Sequence, residues 1–488
     1  MISLGVDIGG TGVKCAAFSD DGRRLALRYE EYPLPPGQAD RPPEVLAGSV
    51  FRVIRGCTDE ISCPNEIAAV TLSSFGESFV AVDGEGRALD CIRMYFDRNE
   101  SAEFDSLVES VGEENFMRIC RIRPNPTYSL AKMLATRKTA PQPVEKYLFI
   151  ASYVAFLLSG RAAVDLSLAT RTLLYDVAAG DWSDELLSAS GFAREQLPEV
   201  VPSGAALGTI LPGMARQLNL PETALVVMGA QDQIVNALGA GVRETGDAVD
   251  TFGTCECITP LFDALPGHIR MQEFNFSGVP YLGTGKYATY AYNISAGSVV
   301  RWFRDEMACH MANEHESIYD ALNRAAPGEP TDLIVLPFLQ GMGGTPDVKA
   351  DATGLIAGLT TATQLPDLYR ALLEGVTFEM RYNQEKLREN GVTVRRLFAA
   401  GGGAQSDVWL SVKANILGCD ILPVAEKETG ALGSAILGLA AATGRGPLEI
   451  APRFLHYRAA VRPDPERAKI YDRKYQLYKA LRAFYKEI

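Results

Sequence analysis

One pattern constrains this chain more than any other. Asp-x-x-Gly-Thr occurs at residues 7–11 and returns at residues 250–254, 243 residues later in a chain of 488. Each copy ends an apolar, β-rich run, and each stands near the start of its half. A strand that closes on an acid, a glycine turn and a hydroxyl, repeated at half the chain length, predicts a duplicated domain. The chain is also too long for a single ordinary domain. We therefore divide it at residue 243, into 1–243 and 244–488. No low-complexity linker marks that division, so close-packed crossings are expected between the halves.

Periodicity fills in the two halves. Strands are predicted at 2–7, 13–18, 67–72, 79–82, 224–228, 248–252, 333–336 and 397–400. Helices are predicted at 147–158, 368–389, 407–417, 430–442 and 465–486, the last with the option of packing back on the first domain. Strands alternating with helices indicate an α/β protein with central sheets.

Composition narrows the function. Lys and Arg total 47 against 60 Asp and Glu, a formal charge of −13. Nucleic acid needs a basic face and is not an expected partner. The start has no basic n-region, Asp7 interrupts its apolar run, and the 147–158 stretch is too short to span a bilayer, so neither a signal peptide nor membrane insertion is expected. Nine scattered cysteines with no CxxC pair support neither a zinc ribbon nor a disulfide framework, and reduced thiols suit a cytoplasmic protein. None of the four histidines has a catalytic or metal spacing; Cys309, His310 and His315 come nearest and read as an exposed helical stretch. A carboxylate is the expected general base.

Four motifs carry chemistry. At Asp7, Gly9, Gly10, Thr11 and Gly12 a glycine turn bares backbone N–H groups toward an anion, and Asp7 could hold magnesium through its water shell. The alternative is a plain glycine hairpin. The glycines lead into a strand, which excludes both a Rossmann fingerprint and a Walker loop. The second motif surrounds Asp232 and Gln233, where a strand ends and a helix begins near Gln231; the helix dipole favours an ionised carboxylate there, as a base or simply as a helix-start acid. The third, Gly253 and Thr254, is a second phosphate-facing turn, with Cys255 and Cys257 read as alternating strand residues. The fourth runs a strand into Gly401, Gly402 and Gly403 and then a helix capped by Ser406 or Asp407, where side-chain-free backbone would let a nucleoside lie flat.

Taken in this order and spacing, the motifs resemble the FGGY family of carbohydrate kinases, within the actin, Hsp70 and hexokinase superfamily. Residues 129–132, 169–176, 180–183, 298–302, 336–341, 354–359 and 370–375 extend the resemblance over nearly the whole chain. It implies two actin-like, ribonuclease H-like domains with an ATP cleft between them. Asp7 and the Gly9–Gly12 turn would face the phosphates and Mg2+, Gly253 and Thr254 would clamp them from the other domain, and Gly402, Gly403 and Asp407 would lie beside the adenosine. Asp232 would take the proton from the attacking hydroxyl.

The acceptor site departs from better-known relatives. Where xylulose kinases typically show Gln-Met-His and glycerol kinases Gln-Arg-Glu, this chain reads Ser73-Ser74-Phe75-Gly76-Glu77-Ser78, nearer the Phe-Gly-Val-Asp form of fuculose- and rhamnulose-type kinases. Phe75, Glu77, Tyr128, Asp232 and Gln233 are the expected acceptor residues; the alternative for Glu77 is a surface pair with Arg93 or Arg98. The expected activity is ATP-dependent phosphorylation of a small sugar, with a ketose (pentulose or hexulose) favoured. A polyol acceptor of the erythritol or glycerol type, a non-enzymatic nucleotide-dependent module and an actin-like filament are the alternatives. Homodimerisation is left open.

Overall fold

The structure, a computed structural model, describes residues 1–33, 41–95, 102–311 and 316–487. Arg98 and His315 lie outside the described residues. Two sheets organise the chain, one in each half.

The first sheet is built from β1 (Ile2–Ile8), β2 (Gly12–Ser19), β3 (Arg24–Glu31), β4 (Ile67–Ser74), β5 (Ala206–Thr209) and β6 (Leu225–Gln231), in the order β5-β6-β4-β1-β2-β3. β1 pairs antiparallel with β2 across the glycine turn and parallel with β4, which pairs parallel with β6. The second sheet repeats this plan. Its strands are β7 (Asp247–Phe252), β8 (Glu256–Phe262), β9 (Val279–Tyr281), β10 (Lys286–Ala288), β11 (Ala291–Asn293), β12 (Arg396–Ala400) and β13 (Asp420–Pro423). Here β7 pairs antiparallel with β8 and parallel with β12, which pairs parallel with β13. The expected α/β architecture with central sheets is present in both halves, and the central strands are buried almost throughout, as expected of strands covered by helices.

Five helices matter for the site: α1 (Asp232–Ala240), α2 (Leu365–Glu389), α3 (Asp407–Leu417), α4 (Thr429–Thr443) and α5 (Pro465–Glu487). α1 and α4 cross in an apolar layer shared by both sheets, with Ala16 and Phe18 from one side and Val249, Phe398 and Ala400 from the other. Their backbones touch: a Cβ on Gly433 would stand 1.8 Å from the carbonyl oxygen of Val235, so only glycine permits this crossing. The helix that packs back on the first domain is thus α4. The last helix does not; α5 lays Tyr471, Tyr475 and Tyr478 against Phe378 of α2, because its buried Arg482 and Lys474 find their carboxylates in Glu379 and Glu374 of that helix.

One expected helix is corrected at its start. Residues 147–149 belong to a strand, Lys146–Phe149, paired with Phe79–Val82, and only Ile150–Ser159 is helical. An unbroken apolar run satisfies either period, and pairing with residues 79–82 decides it. Among the described residues no helix is long and apolar enough to cross a membrane.

Candidate active site

The C-terminal ends of three adjacent strands form one edge. Ile8 of β1 is in register with Ser74 of β4, and Ser74 with Gln231 of β6. Asp7, the Phe75–Glu77 loop and Asp232 therefore follow from neighbouring strand ends, and the Phe75 amide donates to the Ile8 carbonyl at 3.2 Å. Ligands of open parallel sheets sit outside such an edge.

The first glycine turn is held from behind. Tyr32 Oη donates to the Gly9 carbonyl (2.9 Å), Arg41 Nη1 to that of Gly10 (2.8 Å) and the Tyr32 amide to that of Thr11 (3.1 Å). The turn's acceptors are committed to the protein, and Thr11 is exposed. Asp7 is half-buried below it, at the start of α4: a Cβ on Gly430 would lie 2.7 Å from Asp7 Oδ2. Desolvation pushes the Asp7 carboxyl up to about 6, against the charge of Lys14, whose Nζ is held by Glu428 at 2.7 Å.

Asp232 opens the first turn of α1. Its Oδ1 accepts from Gln231 Nε2 (2.5 Å) and from the Gln233 amide (2.7 Å). Gln231 is the N-cap of α1, its Oε1 accepting from the Gln233 amide and from Tyr290 Oη at 2.6 Å. Desolvation, then the charges of Asp7 and Glu77, raise Asp232 to about 7; the Gln233 amide and Arg171 oppose the rise. The Gln233 side chain faces inward, its Oε1 buried without a hydrogen-bond partner among the described residues.

Glu77 is not a surface residue paired with Arg93. Its Oε1 accepts from Arg171 Nε at 2.6 Å, with only 12% of either side chain exposed. Arg93 turns instead to Thr136 and Asp90. Glu77 has φ +64°, an uncommon conformation for a side-chain-bearing residue. The Arg171 guanidinium carbon lies 4.9 Å from the Tyr128 ring centre and 5.5 Å from that of Tyr290. Phe75 is buried against Tyr95, their centres 5.6 Å apart.

The second half contributes open backbone. At Gly253, between β7 and β8, a Cβ would meet nothing within 4 Å, and the same holds at Gly402. Gly403 differs: a Cβ there would strike the Phe252 ring at 2.3 Å. Both Gly253 and Thr254 are exposed, and Thr254 Oγ1 accepts from Arg301 Nη2 at 2.8 Å. Ser406, not Asp407, caps α3, accepting from the Trp409 amide. Asp407 is 87% exposed, with Arg458 at 3.5 Å. Cys257 is a buried strand residue of β8, and Cys255 sits in the turn before it.

The site brings in three residues that the sequence did not single out: Arg171, Tyr290 and Gln231. Arg171 lies in a segment already matched to the family pattern, and in space it packs against Gly76, far from it in sequence. A Cβ on Gly76 would press on Arg171 Cγ at 2.7 Å.

The family model described as the FGGY family of carbohydrate kinases matches in two parts, its N-terminal domain over residues 2–239 and its C-terminal domain over 251–442. A xylulose kinase of Bacillus subtilis (strain 168) is 26% identical over 99% of this chain and 97% of its own length. A gluconokinase of the same strain is 28% identical over 91% and 88%. The crystal structure of gluconate kinase from Lactobacillus acidophilus superposes with a TM-score of 0.88 at 23% identity, covering 99% of this chain and 97% of that one. This last likeness establishes the fold, two actin-like domains.

Proposed function

The chain belongs to the FGGY family of carbohydrate kinases and is a sugar kinase, and on that premise we propose that it transfers the terminal phosphoryl group of magnesium-bound ATP to a hydroxyl of a ketose, a pentulose or hexulose, with Asp232 as general base. Family membership sets aside the non-enzymatic module and the filament.

The observation that carries the reading is Asp232: a carboxylate at a strand end, shifted by its surroundings to about 7, the range in which a base works at neutral pH. Both donors on Asp232 reach Oδ1, which leaves Oδ2 for the acceptor's hydroxyl proton. Phosphoryl transfer passes through a loose transition state, so alignment and charge neutralisation do most of the work and the base a smaller share.

The residues fit the donor. Gly253 and Gly402 present open backbone, where a Cβ would meet nothing within 4 Å, and they suit phosphate and adenosine, with Gly403, Asp407 and Thr254 beside them. Among the described residues no three His, Cys, Asp or Glu side chains gather to hold a metal. Asp7 would hold Mg2+ through its water shell, while Gly9, Gly10, Thr11 and Gly12 present their backbone to the phosphates. When bound, magnesium-ATP supplies the electrophilic phosphoryl group with part of its charge neutralised. Around the acceptor, Glu77 accepts hydrogen bonds from neighbouring hydroxyls, and Phe75, Tyr128 and Gln233 bound its space. Closure of the two domains keeps water from competing.

A coupled ADP-release screen against ketoses, aldoses, polyols and aldonates tests the acceptor class. Asp232→Asn keeps shape and removes the base; turnover should fall by about 10²- to 10⁴-fold with ATP affinity unchanged. Near-normal turnover would remove Asp232 from the base role.

A further inference from the structure

The acceptor edge is dominated by carboxylates. Asp7 and Glu77 both act on Asp232 with like charge, and Arg171 is the cation that opposes them there. Lys14 is held by Glu428. Arg171 is not a loose surface arginine. Its Nε is bound by Glu77, its guanidinium lies between Tyr128 of the first half and Tyr290 of the second, and Nη1 is buried without a hydrogen-bond partner among the described residues. Tyr290 continues the chain of contacts through Gln231 to Asp232. Gly76 gives room to the arginine stem. The guanidinium is therefore fixed beside the reacting edge with Nη1 spare and its charge already met by Glu77.

We propose that the Glu77–Arg171 pair is the specificity gate of the acceptor pocket, admitting neutral polyhydroxy acceptors and excluding aldonates, the sugar acids of the same chain length. The reasoning rests on the sugar-kinase reading above. A neutral ketose offers hydroxyls to Glu77 and a carbonyl oxygen to an arginine donor, and it leaves the charge balance unchanged. An aldonate brings a carboxylate that would need the guanidinium for itself. Glu77 already occupies Nε, and a second carboxylate beside it would be repelled by Glu77, Asp232 and Asp7 together. Removing the charge of Glu77 alone frees a preorganised arginine, whose planar fork suits a carboxylate bidentately.

The test compares kcat/KM for a panel of pentuloses and hexuloses with that for aldonates of the same length, in the full-length protein and in Glu77→Gln and Arg171→Met. Melting temperatures check that each variant is folded. Gln tolerates the backbone of position 77 as well as Glu does, so Glu77→Gln should remain folded. In that variant the ketose value should fall about 10-fold or more, while the aldonate value rises about 10- to 100-fold, carried by a lower KM for the aldonate. Arg171→Met should lose ketose activity without gaining any for aldonates. Parallel changes for both acceptor classes in Glu77→Gln, or an aldonate gain in Arg171→Met, would overturn the gate. A wild-type preference for an aldonate would instead overturn the ketose reading on which it stands.

Discussion

Asp7 and Asp250 stand at matching places, each three residues before the Gly-Thr pair of a turn, near the end of a strand that pairs antiparallel with the next strand and parallel with a later one. Their surroundings have diverged. Asp7 is half-buried at its sheet end, and Lys14, whose charge acts on it, is engaged by Glu428. Asp250 is buried, with Lys413 Nζ at 2.8 Å, and the same lysine bonds Glu256 of β8. Lys413 itself is fully buried, 4.4 Å from the Phe252 ring centre and 5.7 Å from that of Trp409. One copy of the motif keeps its carboxylate available; the other spends it on an internal ion cluster under the second turn. On the function proposed above, the duplicated turn separates into a working half and a supporting half, and the second half would serve the ligand through backbone instead of charge.

The sharpest way to break this comparison is Asp7→Asn. If the first copy works and the second supports, turnover and magnesium dependence should fall together by roughly 10²- to 10⁴-fold. Stability should hold or rise, because a carboxyl raised to about 6 by burial is costly to keep ionised in the fold. Magnesium titration of the steady-state rate beside thermal melts measures both. Full activity in excess chelator would contradict the role given to Asp7.

Lys413→Met should give the opposite result. It leaves Asp250 and Glu256 buried without their cation, a loss of about 3–5 kcal/mol in stability. Turnover per folded molecule below the melting range should stay near wild type. Lys14→Met, which breaks a half-exposed pair with Glu428, should cost about 1 kcal/mol or less. Equal losses from the two lysines would erase the distinction between the copies.

A smaller effect separates the two glycines of the second half. Gly402→Val meets open space and should raise the KM for ATP about 10-fold with the fold and acceptor binding intact. Gly403→Val collides with Phe252 and should lower the melting temperature instead. If Gly402→Val leaves the KM for ATP unchanged, that backbone does not face the nucleotide.

The working half was the more legible in sequence. Asp7, its glycine turn and Asp232 lie where a strand ends, and that position is legible from local pattern, although a glycine hairpin or a helix-start acid reads the same way. Lys413 could not be seen this way. In residues 407–417 a lysine reads as a solvated helix position, and only the packing of α3 over β7 and β8 buries it with two acids. Arg171 was missed for the same reason, since its partners stand at positions 77, 128 and 290. The early part of 147–158 is a strand where the periodicity predicts a helix, because a short apolar run satisfies both periods and strand pairing decides. The docking of the last helix has no local signal, because charges inside α5 find charges inside α2 and no local rule pairs them.

The finest test of the supporting half is its pH dependence. Desolvation, with Asp250 adding to it, pushes the Glu256 carboxyl up to about 8, while Lys413 pulls the other way. In the unfolded chain a glutamate titrates near 4.3. Between these values the folded state holds more protons than the unfolded one. The stability this proton provides is complete below about pH 4 and is lost as pH rises toward 8, with little further change above. Asp7 and Asp232 are also raised and act with the same sign, so wild-type melting alone does not isolate Glu256. Glu256→Gln does, because it leaves those two groups in place and removes one titration. The melting temperature of the wild type should fall a few degrees more than that of the variant between pH 5.5 and 8.5, where about 1 kcal/mol corresponds to roughly 2–4 °C. Parallel curves would mean that Lys413 keeps both acids ionised in the fold. The second copy would then hold two buried negative charges against one positive, and its turn would be held by charge more than by a shared proton.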